Sequence, residues 1–208
     1  ERARAFLAAL GRRDRGRIRV VPDLPAGAGA GMSTAALVAL ARAAGAGEDR
    51  IAAACLTVEG AVDPLMLPKP DAVLWAPREA VTRTSLPRPP AAEILGGLWG
   101  PPVPTDPRDT RFPEVDDLLA AWAAGPELPE AARLASLSAA RTTAERGPGD
   151  DPTPHLARRL GALGWARAHT GSARALIFAP GTCPAIGGAV LQEAGYRHIL
   201  RFATGCRP

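Results

Sequence analysis

The spacing of apolar positions changes several times along the chain, and each change marks an element. Phe6, Leu7 and Leu10 fall on one face at helical spacing and predict a short helix over 3–10. Ile18-Arg19-Val20-Val21 is a β-prone run that enters a proline-rich turn. An alanine- and leucine-rich helix then starts near Ser33-Thr34 and stops at Gly45, with Ser33 the expected N-cap. Ile51, Cys55 and Val58 predict a second helix over 50–59, broken at Gly60. The β-like runs 72–75 and 79–84 flank Pro77 and predict a hairpin. Pro87-Arg88-Pro89-Pro90 is a stiff linker and divides the chain into domains 1–88 and 91–208.

Beyond the linker, 93–100 predicts a buried strand, followed by a polar loop over 101–113 that carries Thr105, Asp106, Arg108, Asp109 and Arg111. A loop of that length in a compact domain is often functional. Leu118, Leu119 and Trp122 mark a helix over 114–124, and Leu134, Leu137 and Ala140 mark the inner face of a helix over 128–146. A helix over 155–163 should end at Gly164, a strand should end at Phe178, and a helix over 183–194 should lead to a last strand over 198–203. That alternation predicts an α+β second domain.

Between the first strand and the helix lies Pro25-Ala26-Gly27-Ala28-Gly29-Ala30-Gly31-Met32-Ser33-Thr34, with glycine at every second position. A helix N-terminus offers free N–H groups and a partial positive charge. Glycines before it let a ligand approach the backbone. Together they predict an anion cradle, and phosphate is the common occupant. The Walker pattern needs Gly-Lys-Ser/Thr, but Met32 precedes Ser33 and the loop holds no lysine. The dinucleotide fingerprint needs Gly-x-Gly-x-x-Gly, and the loop gives Gly-x-Gly-x-Gly.

Composition narrows the partners. The chain has 208 residues, 47% apolar but only 4% aromatic, with a net charge of +4. Its dense basic cluster, Arg12-Arg13-Asp14-Arg15-Gly16-Arg17, has no interleaved aromatics and reads as a solvated turn, not a nucleic-acid surface. Cys55, Cys183 and Cys206 form neither a disulfide framework nor a metal pair, and His155, His169 and His198 lack zinc spacing. A cytoplasmic protein is expected, with no signal peptide and no run approaching a membrane span.

The loop resembles the nucleotide loop of the GHMP kinases, Pro-x-x-x-Gly-Leu-Gly-Ser-Ser-Ala. Pro25, Gly29, Gly31 and Ser33 align with it without a gap, and the closing alanine comes one residue late, at Ala35. It is most similar to the propanediol-utilisation-type L-threonine kinase branch, whose loop ends Ser-Ser-Thr-Ala. It departs at Met32, Ala28 and Ala36, where that branch has serine, often lysine and often aspartate. Ala168-His169-Thr170-Gly171-Ser172 resembles the branch's Ala-His-Ser/Thr-Gly-Ser/Thr motif, which shapes the active site. Glu59 and Asp63 stand where the branch has Glu-Pro-Thr-Asp, spaced one residue wider.

The resemblance implies a two-domain α+β fold in which the phosphate loop leads into a helix and the second domain is ferredoxin-like. It also implies that the family's first strands precede Glu1. The implied reaction is phosphoryl transfer from ATP, with Mg²⁺, to a small-molecule alcohol, first of all L-threonine, as in cobalamin side-chain synthesis. Pro25, Gly27, Gly29, Gly31, Met32, Ser33 and Thr34 would bind nucleotide, and Ser33 and Glu59 would hold the metal. Asp63 would orient or deprotonate the hydroxyl, and His169, Thr170 and Ser172 would face substrate. Phosphoryl transfer depends mostly on positioning and charge neutralisation, for which few hard oxygen ligands suffice. A Ser/His hydrolase would need a Gly-x-Ser-x-Gly elbow, which Thr170–Arg174 lacks. The alternative is a non-catalytic nucleotide- or metabolite-binding relative, motivated by Ala28, Met32 and Ala36.

Overall fold

The structure is a computed structural model that describes residues 1–13, 16–103, 106 and 108–205. Asp14, Arg15, Thr105 and Cys206 therefore lie outside the described residues. Helices and antiparallel sheets make an α+β protein of two compact units. The first comprises Glu1–Ala26, Gly31–Ser85 and Asp106–Asp109, and the second Gly27–Ala30, Leu86–Thr105 and Thr110–Pro208. The tetrapeptide Gly27–Ala30 thus packs with the second unit, although the sequence reading placed it in the first domain.

In the first unit, α1 (Arg2–Ala9), α2 (Met32–Ala43) and α3 (Glu48–Glu59) enclose the core. Phe6, Leu7 and Leu10 of the α1 segment meet Leu37, Val38 and Ala41 of α2 and Ile51, Ala54 and Cys55 of α3. α3 stops because Gly60 takes the left-handed conformation, and its N–H donates to Leu56 O. The predicted hairpin is β1 (Val73–Ala76) against β2 (Val81–Ser85), antiparallel. The expected strand at Ile18–Val21 does not form: among the described residues no strand pairs with it, and Ile18, Val20 and Val21 are exposed. β-propensity needs a neighbouring strand to be realised.

The second unit is built on a four-stranded antiparallel sheet ordered β4-β5-β3-β6. Its strands are β3 (Ala92–Leu98), β4 (Gly164–Arg167), β5 (Ala173–Phe178) and β6 (Arg197–Thr204). α4 (Asp116–Ala123), α5 (Leu128–Arg146) and α6 (Thr153–Leu160) connect β3 to β4, and α7 (Gly187–Glu193) connects β5 to β6. Alternate residues of β5, Arg174, Leu176 and Phe178, are buried. Leu176 and Phe178 pack with Ala139, Leu156, Leu160, Trp165 and Leu191.

Several boundaries differ from expectation for local reasons. α6 ends at Gly161, which is left-handed (φ 70°), so Gly164 opens β4 instead of closing a helix. A Cβ on Gly164 would lie 2.3 Å from Ala132 O, which is why the strand starts at a glycine. On α5 the buried positions are Ala131, Ala132, Leu134, Ala139 and Thr142, while Ala140 is exposed. Small residues face inward there because α5 lies close along β4. The helix expected from Cys183 begins only at Gly187, after Pro184.

Candidate functional site

In the first unit, four side chains from three segments meet at the first turn of α2: Ser33 and Thr34 of that turn, Glu59 and Asp63. Gly31, not Ser33, is the N-cap; it is left-handed (φ 69°), and no side chain caps the helix. Ser33 therefore lies inside the first turn, and its hydroxyl is used elsewhere. It donates to Glu59 Oε1 at 2.8 Å, from the last residue of α3. Thr34 is 2% exposed; its Oγ1 accepts from the Asp63 N–H at 3.2 Å and lies 3.5 Å from Asp63 Oδ2. A Cβ on Gly31 would lie 3.4 Å from that same Oδ2, which puts the carboxylate beside the helix entrance.

The segment carrying Asp63 is held by the hairpin. Trp75 Nε1 donates to Val62 O at 2.7 Å, and Val62 N–H donates to Pro77 O at 3.0 Å. Asp63 is exposed as a residue, but partial desolvation of its carboxyl raises its pKa, the Thr34 hydroxyl opposes that, and the Glu59 charge adds to it. A desolvated carboxylate with a carboxylate neighbour is a stronger base than a free one.

A cation also reaches this group. Arg2 Nη2 donates to Ser33 Oγ at 2.7 Å and Ser33 O at 3.0 Å, and pairs with Glu59 Oε1. Sequence reasoning missed Arg2, since no motif links residues 31 and 57 positions apart. It also missed that the buried Thr34 hydroxyl meets Asp63.

In the second unit, the glycine loop and the Ala168–Ser172 turn interlock. Ala28 O accepts from Ser172 N–H (2.9 Å) and Ala173 N–H (2.8 Å). Gly27 O accepts from Val103 N–H at 2.9 Å, and Ser172 O accepts from Trp99 N–H at 2.8 Å. Gly29 (φ 78°) passes so close that a Cβ there would lie 2.0 Å from Thr170 O; a Cβ on Gly171 (φ 86°) would lie 2.5 Å from the Ala28 carbonyl carbon. The two segments singled out in the sequence, 140 residues apart, thus form one surface with no room for side chains. Ser172 is 3% exposed and acts in this lattice through its backbone.

His169 lies beside the Phe112 ring, centroids 5.9 Å apart at 56°, and Arg146 stacks on that ring at 4.8 Å. The 101–113 loop therefore meets the motif through Phe112. His169 is exposed as a residue, but partial desolvation of its ring, then the charges of Arg146 and Arg167, lower its pKa. Arg167 donates to Gly147 O (2.8 Å) and Thr143 Oγ1 (3.0 Å); burial and the charges of Arg174 and Arg146 pull it down to about 10. Behind the turn, Arg174 donates to Gly171 O at 3.2 Å and to Asp151 at 2.6 Å.

The expected residues thus form two groups. Ser33, Thr34, Glu59 and Asp63 meet in the first unit, and Gly27, Gly29, Thr170 and Ser172 meet in the second. Pro25 and Met32 belong to the first unit, Met32 opening α2, and neither side chain enters these hydrogen bonds. No protein-family model matches the chain, and no curated protein matches it.

Proposed function

We propose that the chain is a small-molecule kinase of the GHMP type, transferring the ATP γ-phosphoryl group to an alcohol. The observation that carries this reading is the convergence of Ser33, Glu59 and Asp63 on the uncapped first turn of α2. The order β–α–β–β–α–β with strands β4-β5-β3-β6 supports it, because a ferredoxin-like second domain has that arrangement. So does the interlock of the glycine loop with Ala168–Ser172.

The donor set fits magnesium. Ser33 Oγ and the Glu59 carboxylate are hard oxygens, and Mg²⁺ takes one or two such protein ligands, with phosphate and water oxygens completing its shell. Among the described residues no group of three or more His, Cys, Asp or Glu is placed to hold a metal, so a metal here depends on the nucleotide's own oxygens. When bound, Mg²⁺ would neutralise phosphate charge. The Gly31–Thr34 turn at the start of α2 would present N–H groups to phosphate. Asp63 would accept the acceptor hydroxyl's proton as its oxygen attacks the γ-phosphorus and ADP leaves. L-Threonine is the first acceptor to test.

A second reading, a nucleotide- or metabolite-binding protein without turnover, is favoured by one observation: Arg2 already engages both proposed metal ligands. Thermal shift with Mg·ATP and ADP release with L-threonine, L-serine and homoserine decide between them. The kinase reading expects threonine-dependent ADP release that falls about 10²–10⁴-fold in Asp63→Asn. A thermal shift without turnover for any acceptor leaves the binding reading, and no shift at all removes both. Among the described residues no helix is long and apolar enough to cross a membrane.

A further inference from the structure

We propose that the Arg2 guanidinium is the resident cation of the Ser33–Glu59 pair, and that a divalent cation enters this seat only by displacing it. This rests on the metal role given to those two residues above.

The geometry is that of a filled seat. One nitrogen, Arg2 Nη2, takes Ser33 Oγ at 2.7 Å, Ser33 O at 3.0 Å and the Glu59 carboxylate. Ser33 Oγ in turn donates to Glu59 Oε1 at 2.8 Å. These are the oxygens a hard cation would use, and Arg2 Nη2 occupies the position they share. A magnesium ion with ligands near 2 Å and a guanidinium nitrogen cannot share that volume.

The pair is asymmetric in the way a displaceable plug requires. The Glu59 side chain is 11% exposed at the end of α3, whereas Arg2 is 47% exposed. Phe6, Leu7 and Leu10 anchor α1 in the core, so its backbone stays when the Arg2 side chain leaves. That side chain has its own rotatable bonds and an open path to water, and a half-exposed ion pair contributes little to holding it. Asp63 lies near enough for the Glu59 charge to reach it, so a second negative charge favours the dication over the single guanidinium charge. A simple staple between α1 and α3 would use the same contacts, but it would be indifferent to magnesium.

The test reads melting temperature with Mg²⁺ alone, on the wild-type chain, Arg2→Met, Arg2→Ala and Arg2→Met/Glu59→Gln. Arg2→Met keeps an unbranched apolar stem where Arg2→Ala would lose packing. Roughly 10 mM Mg²⁺ should raise the melting temperature of both single variants by about 3 °C, with less than about 1 °C for wild type and for the double variant. Mn²⁺ titration followed by electron paramagnetic resonance should show about tenfold tighter binding to Arg2→Met than to wild type. Equal shifts in wild type and Arg2→Met, or none in either, overturn the proposal. Mg·ATP binding to wild type is measured alongside. If it is retained while Mg²⁺ never distinguishes the variants, the displacement fails and the kinase reading stands. If Mg²⁺ selects Arg2→Met while no form binds nucleotide, the kinase reading fails and the displaceable seat stands.

Discussion

In the second unit Asp151 and Arg174 are sealed, their side chains 1% and 2% exposed; in the first, Glu59 and Arg2 retain 11% and 47%. The chemical groups are the same, but their surroundings are not. Asp151 Oδ2 accepts from Arg174 Nε at 2.6 Å, and Oδ1 accepts from Thr153 N–H at 2.9 Å and from the Thr153 hydroxyl. Since that hydroxyl proton is committed to Asp151, Tyr196 must be the donor to Thr153 Oγ1, 2.5 Å away. Burial, partly offset by that hydrogen bond and reinforced by the Asp151 charge, pushes the Tyr196 phenol up to about 12. Among the described residues no buried side-chain polar atom lacks a partner, and this cluster holds a shape: Arg174 donates to Gly171 O and Ala173 O in the turn that receives the glycine loop. The Glu59 pair keeps one member at the surface and two oxygens in demand. A sealed pair fixes a shape, and a half-open one keeps its cation where water can reach it.

Breaking the sealed pair should have the largest effect. Asp151→Asn leaves a buried guanidinium without its counter-charge, which costs about 3–5 kcal/mol. Hydrogen exchange followed by mass spectrometry should show lost protection in β5 and α6, with α2 and α3 unchanged. Equal loss in both units would mean that they unfold together and that the comparison of separate pairs does not apply.

Next comes the interlock. Gly29→Ala combines a left-handed backbone with a Cβ 2.0 Å from Thr170 O, and should cost about 3 kcal/mol. Gly45→Ala is the control, because Gly45 is also left-handed (φ 66°) but a Cβ there meets nothing within 4 Å. It should cost only about 1 kcal/mol. Denaturant midpoints of the two variants isolate the close approach from the backbone cost; equal midpoints would show that the loop moves aside freely.

The fold was legible where a residue's role is local. α1, α3 and α5 follow from apolar spacing, and the β1–β2 hairpin from two β-like runs around Pro77. The start of β4 escaped because the expected helix ran on to Gly164, and Gly161 and Gly164 are equally plausible stops until Ala132 O is seen to press on the second. Ile18–Val21 carries a strand pattern without a strand, since alternation records which face is apolar and not whether a partner strand exists. At the site, the Ser33–Glu59 contact was expected as a pair of ligands, but Ser33 as a cap was not realised because Gly31 turns the chain first. Arg2 and the Thr34–Asp63 contact depend on how α1 and the hairpin pack, and residues so distant in sequence leave no local mark.

The smallest expected effect concerns the carboxylate nearest the Glu59 pair. Among the described residues Asp63 has no counter-charge like that of Asp151 or Glu59; it is an exposed residue with a hydroxyl partner, and partial desolvation of its carboxyl with the Glu59 charge raises its folded pKa above the free value near 3.9. Its contribution to stability is therefore fully present below about pH 3.9 and is lost as pH rises through the folded pKa. Asp63→Asn keeps an acceptor for Thr34 and carries no charge, so it should be more stable than wild type at pH 7. That advantage should shrink steadily as melting is repeated toward pH 4. In a Glu59→Gln background the neighbouring charge is gone, partial desolvation alone raises the pKa, and the advantage at pH 7 should be smaller. An Asn variant less stable than wild type across the whole range would mean that Asp63 is bound to the α2 N-terminus as a charge-compensating cap. It would then belong with the structural carboxylate of the second unit and not with the exchangeable site of the first.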